Sequence, residues 1–423
     1  MSYNIKLNEL KNLLSKLKPG DKVLLQDGIY KDINLNINCK GTLKNRITIK
    51  ALNPGKVVIT GNSSISLEGD YTTFANAIFK DGGKKNSISL KGNGNRLTGC
   101  DISFNNSDGP VLMMSMKNNR IDHCIFHDFN KSERWIQKDS GSKSEDYILF
   151  DHNIVKNRPK GKDSNGYETI QLRNDDNMIA SKTIILNNYF EKCDGELEMI
   201  SVKSSENIIH QNTIKTVKAT VTLRHGRGTI ISSNKFLQDN IDESGGIRII
   251  GADHIIYNNL LKDINGGTTT NCALSISNGG NSKPSYQQVK NLKVIKNVLI
   301  NNECDIALGL SSKGKLVPTD VEFRDNIVYK NNKNPIFSSK GSTCKNVTFK
   351  NNKFYGNNFG KNPSNSDPLL KPSEFNITSI NEDLYGATEK CGPEWDKQPE
   401  DSELKADIKY IYDRLKEKIL SEL

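Results

Sequence analysis

The chain has 423 residues, of which 35% are hydrophobic and 7% aromatic, an apolar supply that suits an elongated repeat structure with a thin core better than one large globule. Lysine and arginine outnumber aspartate and glutamate by 59 to 49, a formal charge of +10, so an acidic partner is favoured; on charge alone this admits an anionic polysaccharide, a nucleic acid or an anionic membrane surface. No apolar run is long enough to span a bilayer, and the eight cysteines contain no CxxC pair, which reads as small core residues rather than a disulfide framework.

The N-terminal MSYNIKLNELKNLL is amphipathic and lacks the apolar segment and small-residue cleavage site of a secretory signal. Over residues 5–18, Leu7, Leu10, Leu13, Leu14 and Leu17 fall at helical spacing until Pro19 and Gly20 end the run. Residues 1–21 are therefore expected to form a helical cap over the open first rung of a repeat.

From residue 22 to 360 one short phrase recurs: apolar residues, a polar pair, then Asn or Cys, then apolar alternation, as in RIDHCIFHDF, IILNNYFEKC, IIHQNTIKTV and IIYNNLLKDI. With Cys100, Cys124, Asn153, Asn188, Asn212, Asn234, Asn259, Asn297, Asn326 and Asn352 as markers, successive spacings are 24, 29, 35, 24, 22, 25, 38, 29 and 26. Short period-two strands recurring at this interval without helices between them predict an all-β right-handed parallel β-helix, its polar markers stacked in one hydrogen-bonded column. Insertions at 130–147, 156–166 and 277–290 are candidate walls of a cleft. Trp135 and Tyr286 within them read either as sugar-stacking platforms or as loop packing. Residues 361–423 form an irregular segment with a C-terminal amphipathic helix over 402–422, where Leu404, Ile408, Ile411, Leu415 and Ile419 recur at helical spacing. Docking over the last rung is the expectation, and an oligomer interface the alternative.

Chemistry concentrates in Asp194–His225. Glu196 and Glu198 are two apart, so on a strand their carboxylates project from one face and can reach one hard cation, though such a pair also reads as a solvated face. Glu198 to Lys203 is an odd number of steps, which demands a bulge, expected near Ser201–Lys203. Arg224 follows Lys203 by 21 residues and Arg248 follows Arg224 by 24, each close to one coil, so the three cations are expected in register on successive rungs. His225 reads as a subsite residue or as a satisfied structural histidine. His123, Cys124 and His127 lie in a repeat coil and read as structure rather than a zinc site. There is no phosphate-cradling glycine loop and no nucleophile elbow.

Four segments, NGYETI at 165–170, NNYFEKCDGELEMISVKSSEN at 187–207, LRHG at 223–226 and GGIRIIGADHIIYNN at 245–259, resemble polysaccharide lyase family 6, which contains the alginate lyases and chondroitinase B. The resemblance implies β-elimination on a 4-linked uronate polymer. Asn165 would join Glu196 and Glu198 in a Ca2+ site, Lys203 would be the general base, and Arg224 would protonate or stabilise the leaving oxygen. Arg248, which would clamp a substrate carboxylate, is counted with His225, Arg173 and Tyr286 as substrate-binding. The expected partner is an anionic polysaccharide and not a nucleic acid. Alginate is preferred, with chondroitin or dermatan sulfate as the alternative substrate and a non-catalytic glycan-binding β-helix of a virion or cell surface as the alternative class. A glycoside hydrolase would instead centre on acid pairs without the Lys–Arg pair. The substrate points to an extracellular or periplasmic location. Without a visible signal, a virion-associated or intracellular location also stays open. No motif encodes the uronate preference, endo or exo action, a strict calcium requirement or the oligomeric state.

Overall fold

The computed structural model describes all residues except 85, 106–108, 131–132, 141–143, 164, 175–177, 268, 281–285, 310–313, 340–343, 361–376 and 396–406. Each pass of the repeated phrase folds into one coil of three short strands, and the coils stack into three sheets of 14, 13 and 12 strands, here sheets 1, 2 and 3 in the order the chain visits them. One coil comprises Ile184–Leu186, Tyr189–Cys193 and Glu198–Lys203, and the next Ile208–His210, Thr213–Lys215 and Thr220–His225. Neighbouring coils pair in parallel, giving a parallel β-helix. Period-two alternation turns the middle residue of each short strand of sheets 1 and 2 inward. Ile185, Ile209 and Ile231 therefore stack in one column and Phe190, Ile214 and Phe236 in another, all of them buried. Each such side chain contributes about 1.5–3 kcal/mol of burial.

The polar markers hold the corner between sheets 1 and 2. His152, Asn187, Gln211, Ser233 and Asn258 turn the chain with φ between 51 and 55°, a left-handed conformation that non-glycine residues rarely adopt. The asparagine after each of them, Asn153, Asn188, Asn212, Asn234 and Asn259, is fully buried. Its backbone N–H and its side-chain Nδ2 both donate to the Oδ1 of the asparagine on the next coil, at 2.9–3.0 Å. The same Nδ2 also donates to a carbonyl of the coil before. The ladder starts at the backbone of Cys124 and continues through Asn297 and Asn326 to Asn352. All eight cysteines are free thiols and all but Cys391 are buried.

At the N-terminus the structure differs from the expected helix over 5–18. Ser2–Ile5 is a strand that pairs with Lys22–Leu25, and the helical part is a chain of short turns, Leu7–Glu9, Leu10–Leu13 and Leu14–Lys16. The strand satisfies the exposed edge of sheet 1. Leu7, Leu10 and Leu14 bury against the core that includes Val23, Leu25 and Leu35, which is the capping role.

The C-terminal helix, Ile408–Ser421, does not dock over the last rung; Leu404 lies outside the described residues. Ile408, Tyr412 and Ile419 bury on the flank of sheet 1, against a cluster that includes Leu149, Ile184, Ile208 and Ile230. Those residues form one register column that continues from Arg96 and Arg120. Where the column turns from charged to aliphatic, an uncovered apolar stripe would face water, and the helix removes it. Before the helix, residues 377–395 run along sheet 2. Ile377, Ile380 and Tyr385 pack on Leu260, Val298 and Ile300, Glu382 meets Lys262 and Lys235 at 2.7 and 3.5 Å, and Trp395 Nε1 donates to the Gly99 carbonyl at 2.9 Å. The segment thus runs from late coils to early ones along one flank, and the helix returns along another, ending where Arg324 donates to the Leu423 carbonyl. Among the described residues no helix is long and apolar enough to cross a membrane.

Asn212→Ala would strip the acceptor from two donors of Asn188 and leave the Ile185 carbonyl without its partner. The expected loss is on the order of 2–4 kcal/mol, measured by urea unfolding followed by circular dichroism, and an unchanged midpoint would deny the ladder its structural role.

Candidate active site

Glu196, Glu198, Lys203, Arg224 and Arg248 converge on the outer face of sheet 3, across the consecutive strands Ile136–Lys138, Ile170–Leu172, Glu198–Lys203, Thr220–His225 and Ile247–Ile249. In the regular register Ile170, Ile200, Val221 and Ile247 point inward, while Gln171, Ser201, Thr222 and Arg248 form one outward column. Two register shifts break this pattern. Glu198 pairs with Thr220 but Ile200 pairs with Val221, so Met199 is an extra, buried residue. One extra residue restores the phase and brings Glu198 and Lys203 to the same face. The extra residue that corrects the parity therefore falls immediately after Glu198, and a second register shift falls between Val202 and Lys203, within the expected Ser201–Lys203 stretch. Farther along, Val202 pairs with Leu223 and Lys203 with His225, which leaves Arg224 as the extra residue on the neighbouring strand. Lys203 accordingly lies opposite His225, and Arg248 lies opposite Thr222. The three cations are not in register as the spacing predicted; they converge by side-chain reach.

What they converge on is acidic. Carboxylate oxygens of Glu168, Glu196 and Glu198 lie within 4.8 Å of one another, and all three residues are buried. Lys203 Nζ donates to Glu168 Oε1 at 3.2 Å and Gln171 Nε2 donates to the same oxygen at 2.8 Å, while Arg134 Nε stands 3.4 Å from Glu168 Oε2. Arg248 and Arg224 approach Glu198 Oε1 at 3.3 and 3.5 Å, and Ser201 Oγ donates to Oε2. The Tyr286 ring covers the Arg224 guanidinium at 4.3 Å, a cation–π contact. Three acids are thus enclosed by four cations. Burial, with Glu168 and Glu198 close by, pushes the Glu196 carboxyl up to about 8. Like charges this close in a poorly solvated site disfavour joint ionisation, and a set of converging carboxylate oxygens matches what a hard divalent cation prefers. Beyond Glu196 the site opens into a cavity of about 210 Å³ whose walls include Lys160, Asp194, Lys218, Glu243 and Asn271.

The other predicted residues divide. Asn165 is exposed at the lip of the cluster, next to Gly166, whose backbone hydrogen-bonds Glu196. His225 is buried beside Lys203. Tyr286 reaches the site, but on Arg224; its neighbours 281–285 lie outside the described residues. Arg173 is not brought to the cluster: it is fully buried, with Nη1 on Asp146 at 2.8 Å. Trp135 is buried too, stacked on Phe129 at 5.4 Å, so it packs its loop. Glu168, Arg134 and Gln171 were not singled out by sequence reasoning. In the sequence Glu168 is marked only by lying within NGYETI; the pairing of Ile170 with Ile200, 30 residues on, is what carries it onto Glu198.

Comparison with known proteins agrees with this geometry. The family model of chondroitinase B matches residues 5–392. Among solved structures, the family 6 alginate lyase AlyGC shares 26% identity at a TM-score of 0.81, the match covering 95% of this chain and 59% of AlyGC; the chain therefore spans little more than half the length of that enzyme. A mannuronic acid specific family 6 lyase from human gut microbiota (24% identity, TM-score 0.76, 97% and 99% covered) and the family 6 lyase Pedsa3628 from Pseudopedobacter saltans (23%, 0.73, 92% and 99%) share the fold. No curated protein sequence matches the chain. A coil pattern, a lysine and arginines gathered on buried glutamates, and a family match over nearly the whole length lead to one assignment: the chain belongs to the chondroitinase B family, the polysaccharide lyases of family 6.

Proposed function

We propose that this lyase cleaves a 4-linked uronate polymer, alginate foremost, by β-elimination, leaving a 4,5-unsaturated uronate at the new non-reducing end. The observation that carries the reading is the placement of Lys203 and Arg224 on adjacent strands around the buried Glu168–Glu196–Glu198 cluster. The alginate preference draws support from the alginate lyase AlyGC and the mannuronic acid specific enzyme. The family model's own description keeps chondroitin or dermatan sulfate as the second substrate to test.

In this mechanism Lys203 acts as the free amine, having released its own proton to solvent, and accepts the proton from C5 as the C5–H bond breaks. That electron pair forms the C4–C5 double bond, and the C4–O bond breaks with its electrons on oxygen. Arg224 faces the departing oxygen. A guanidinium stays protonated, so it stabilises the developing oxyanion by charge-assisted hydrogen bonds, the final proton coming through water. Tyr286, stacked on Arg224, restricts its orientation, and Arg248 and Arg134 offer paired donors to substrate carboxylates. Glu196 and Glu198, with Asn165 at the lip, would hold Ca2+. When bound, the ion supplies Lewis-acid neutralisation of the uronate carboxylate, which makes the C5 proton more acidic.

Incubation with alginate and calcium should raise far-ultraviolet absorbance, which elimination produces and hydrolysis does not. Lys203→Ala should lower kcat by roughly 10³-fold while leaving polymer binding intact, and a chelator should suppress the rise. A folded wild-type sample inert on alginate and on dermatan sulfate would overturn the reading.

Glu196 sets a pH dependence. Its carboxyl, raised to about 8, is protonated at neutral pH in the free protein and must release that proton when a cation binds. Calcium affinity should therefore climb by up to about tenfold per pH unit below pH 8 and level off above it. Without the ion the folded state binds the Glu196 proton more tightly than the unfolded state does, so this group's contribution to stability is lost as pH rises from about 4.5 to 8. Calorimetric titration at several pH values tests the first statement. The second is tested by melting in chelator, where Glu196→Gln should flatten the slope.

A further inference from the structure

The elimination described above does not use Glu168, although it is the most deeply buried acid of the cluster. We propose that Glu168 is a positioning residue for Lys203, an inference that rests on the lyase reading of that lysine. A lysine side chain carries about 2 kcal/mol of rotamer entropy, whereas a general base has to be held within hydrogen-bonding reach of the proton it removes. Lys203 lies at the end of its strand and part of its side chain is open to solvent, yet its Nζ is tied to Glu168 Oε1 at 3.2 Å. Glu168 is itself held in place: Gln171, on the strand that follows it, donates to Oε1 at 2.8 Å, and Arg134, one coil earlier, faces Oε2 at 3.4 Å. Among the described residues, Oε1 thus takes two hydrogen bonds, from Gln171 and from Lys203, while Oε2 makes only the ion-pair contact with Arg134 and no hydrogen bond. The carboxylate comes from the coil before Lys203, and register pairing between the two strands fixes the distance between them.

Two consequences follow for the reaction. The amine is aimed from the Glu168 side of the cluster, across from Arg224 on the far strand, which separates proton acceptor from leaving-oxygen stabiliser. When Lys203 takes the C5 proton, the positive charge on its nitrogen develops beside a fixed carboxylate, and preorganised opposite charge of this kind lowers the barrier. No co-reactant is needed, since the proton moves from C5 to Nζ while Glu168 only accepts a hydrogen bond.

The test uses the full chain as wild type, Lys203→Ala, Glu168→Gln and Glu168→Asp. Wild-type lyase activity that is lost in Lys203→Ala first secures the reading on which the inference rests; an inert wild type would sink that reading instead. Glu168→Gln is expected to lower kcat by about 10²-fold. KM and the affinity for terbium, read by luminescence as a calcium probe, should stay within about threefold of wild type. Independently of turnover, acylation of Lys203 by an amine-reactive probe, followed by peptide mass spectrometry, should accelerate once the amine is released from its partner. Glu168→Asp, which keeps the charge but withdraws it by one methylene, should show the same split at smaller size and substitutes for Glu168→Gln if that variant does not fold. A terbium affinity more than tenfold weaker, with kcat recovered at saturating cation, would make Glu168 a metal ligand and overturn the proposal. Unchanged kcat, or unchanged acylation of Lys203, would overturn it as well.

Discussion

The asparagine ladder is the constraint on which the rest depends. Each buried asparagine accepts two hydrogen bonds from the coil before it, returns one to a carbonyl of that coil and gives two to the next, so no coil can slip by a residue without burying unsatisfied donors, at about 1–3 kcal/mol each. Register set at this corner is carried around the coil to sheet 3, where strands from neighbouring coils stand about 4.8 Å apart. Residues separated by 20 to 40 positions thereby become nearest neighbours. Glu168 and Glu198 share a site for this reason, and the left-handed turns at residues such as His152 and Gln211 are tolerated because the amide that follows each one is so fully bonded.

The site occupies the place where that regularity is broken. A regular coil offers one outward side chain per short strand of sheet 3, and the column Gln171, Ser201, Thr222 and Arg248 shows what that yields: one polar group per coil, of which only Arg248 is charged. Met199 and Arg224 are inserted residues on adjacent strands. The first turns Glu198 outward at the level of Lys203, and the second adds a guanidinium facing it. The resulting concentration of acids would be unstable alone, because buried like charges disfavour joint ionisation. It persists because Lys203, Arg134, Arg224 and Arg248 surround the three carboxylates with opposite charge.

Thin cores need fastening, and the C-terminal segment provides it. By running back along sheet 2 and forward again along sheet 1 it touches coils far apart in the stack, through Trp395 on Gly99 at one end and Arg324 on Leu423 at the other. Along the way a histidine of the ladder corner, His152, uses its two nitrogens to join buried Asp151 to Glu389 of this segment. Among the described residues none of these contacts lies on sheet 3, the sheet that carries the acid cluster.

The sequence by itself determined the β-helix, because the marker spacing repeats at each coil and each marker needs an equivalent above and below it. It also determined the acid pair and the lysine and arginines that accompany it, since strand periodicity and the family motifs name those residues directly. Parity alone required a bulge between Glu198 and Lys203. Only the tertiary structure decided where that bulge falls, that Arg224 is itself an inserted residue, and that Glu168 and Arg134 complete the cluster, because loops of unequal length between coils hide which residues stand over one another. It also decided that Arg173 and Trp135 turn into the interior and that the C-terminal helix covers a flank, since an amphipathic face shows that a helix must dock but not which apolar stripe will receive it.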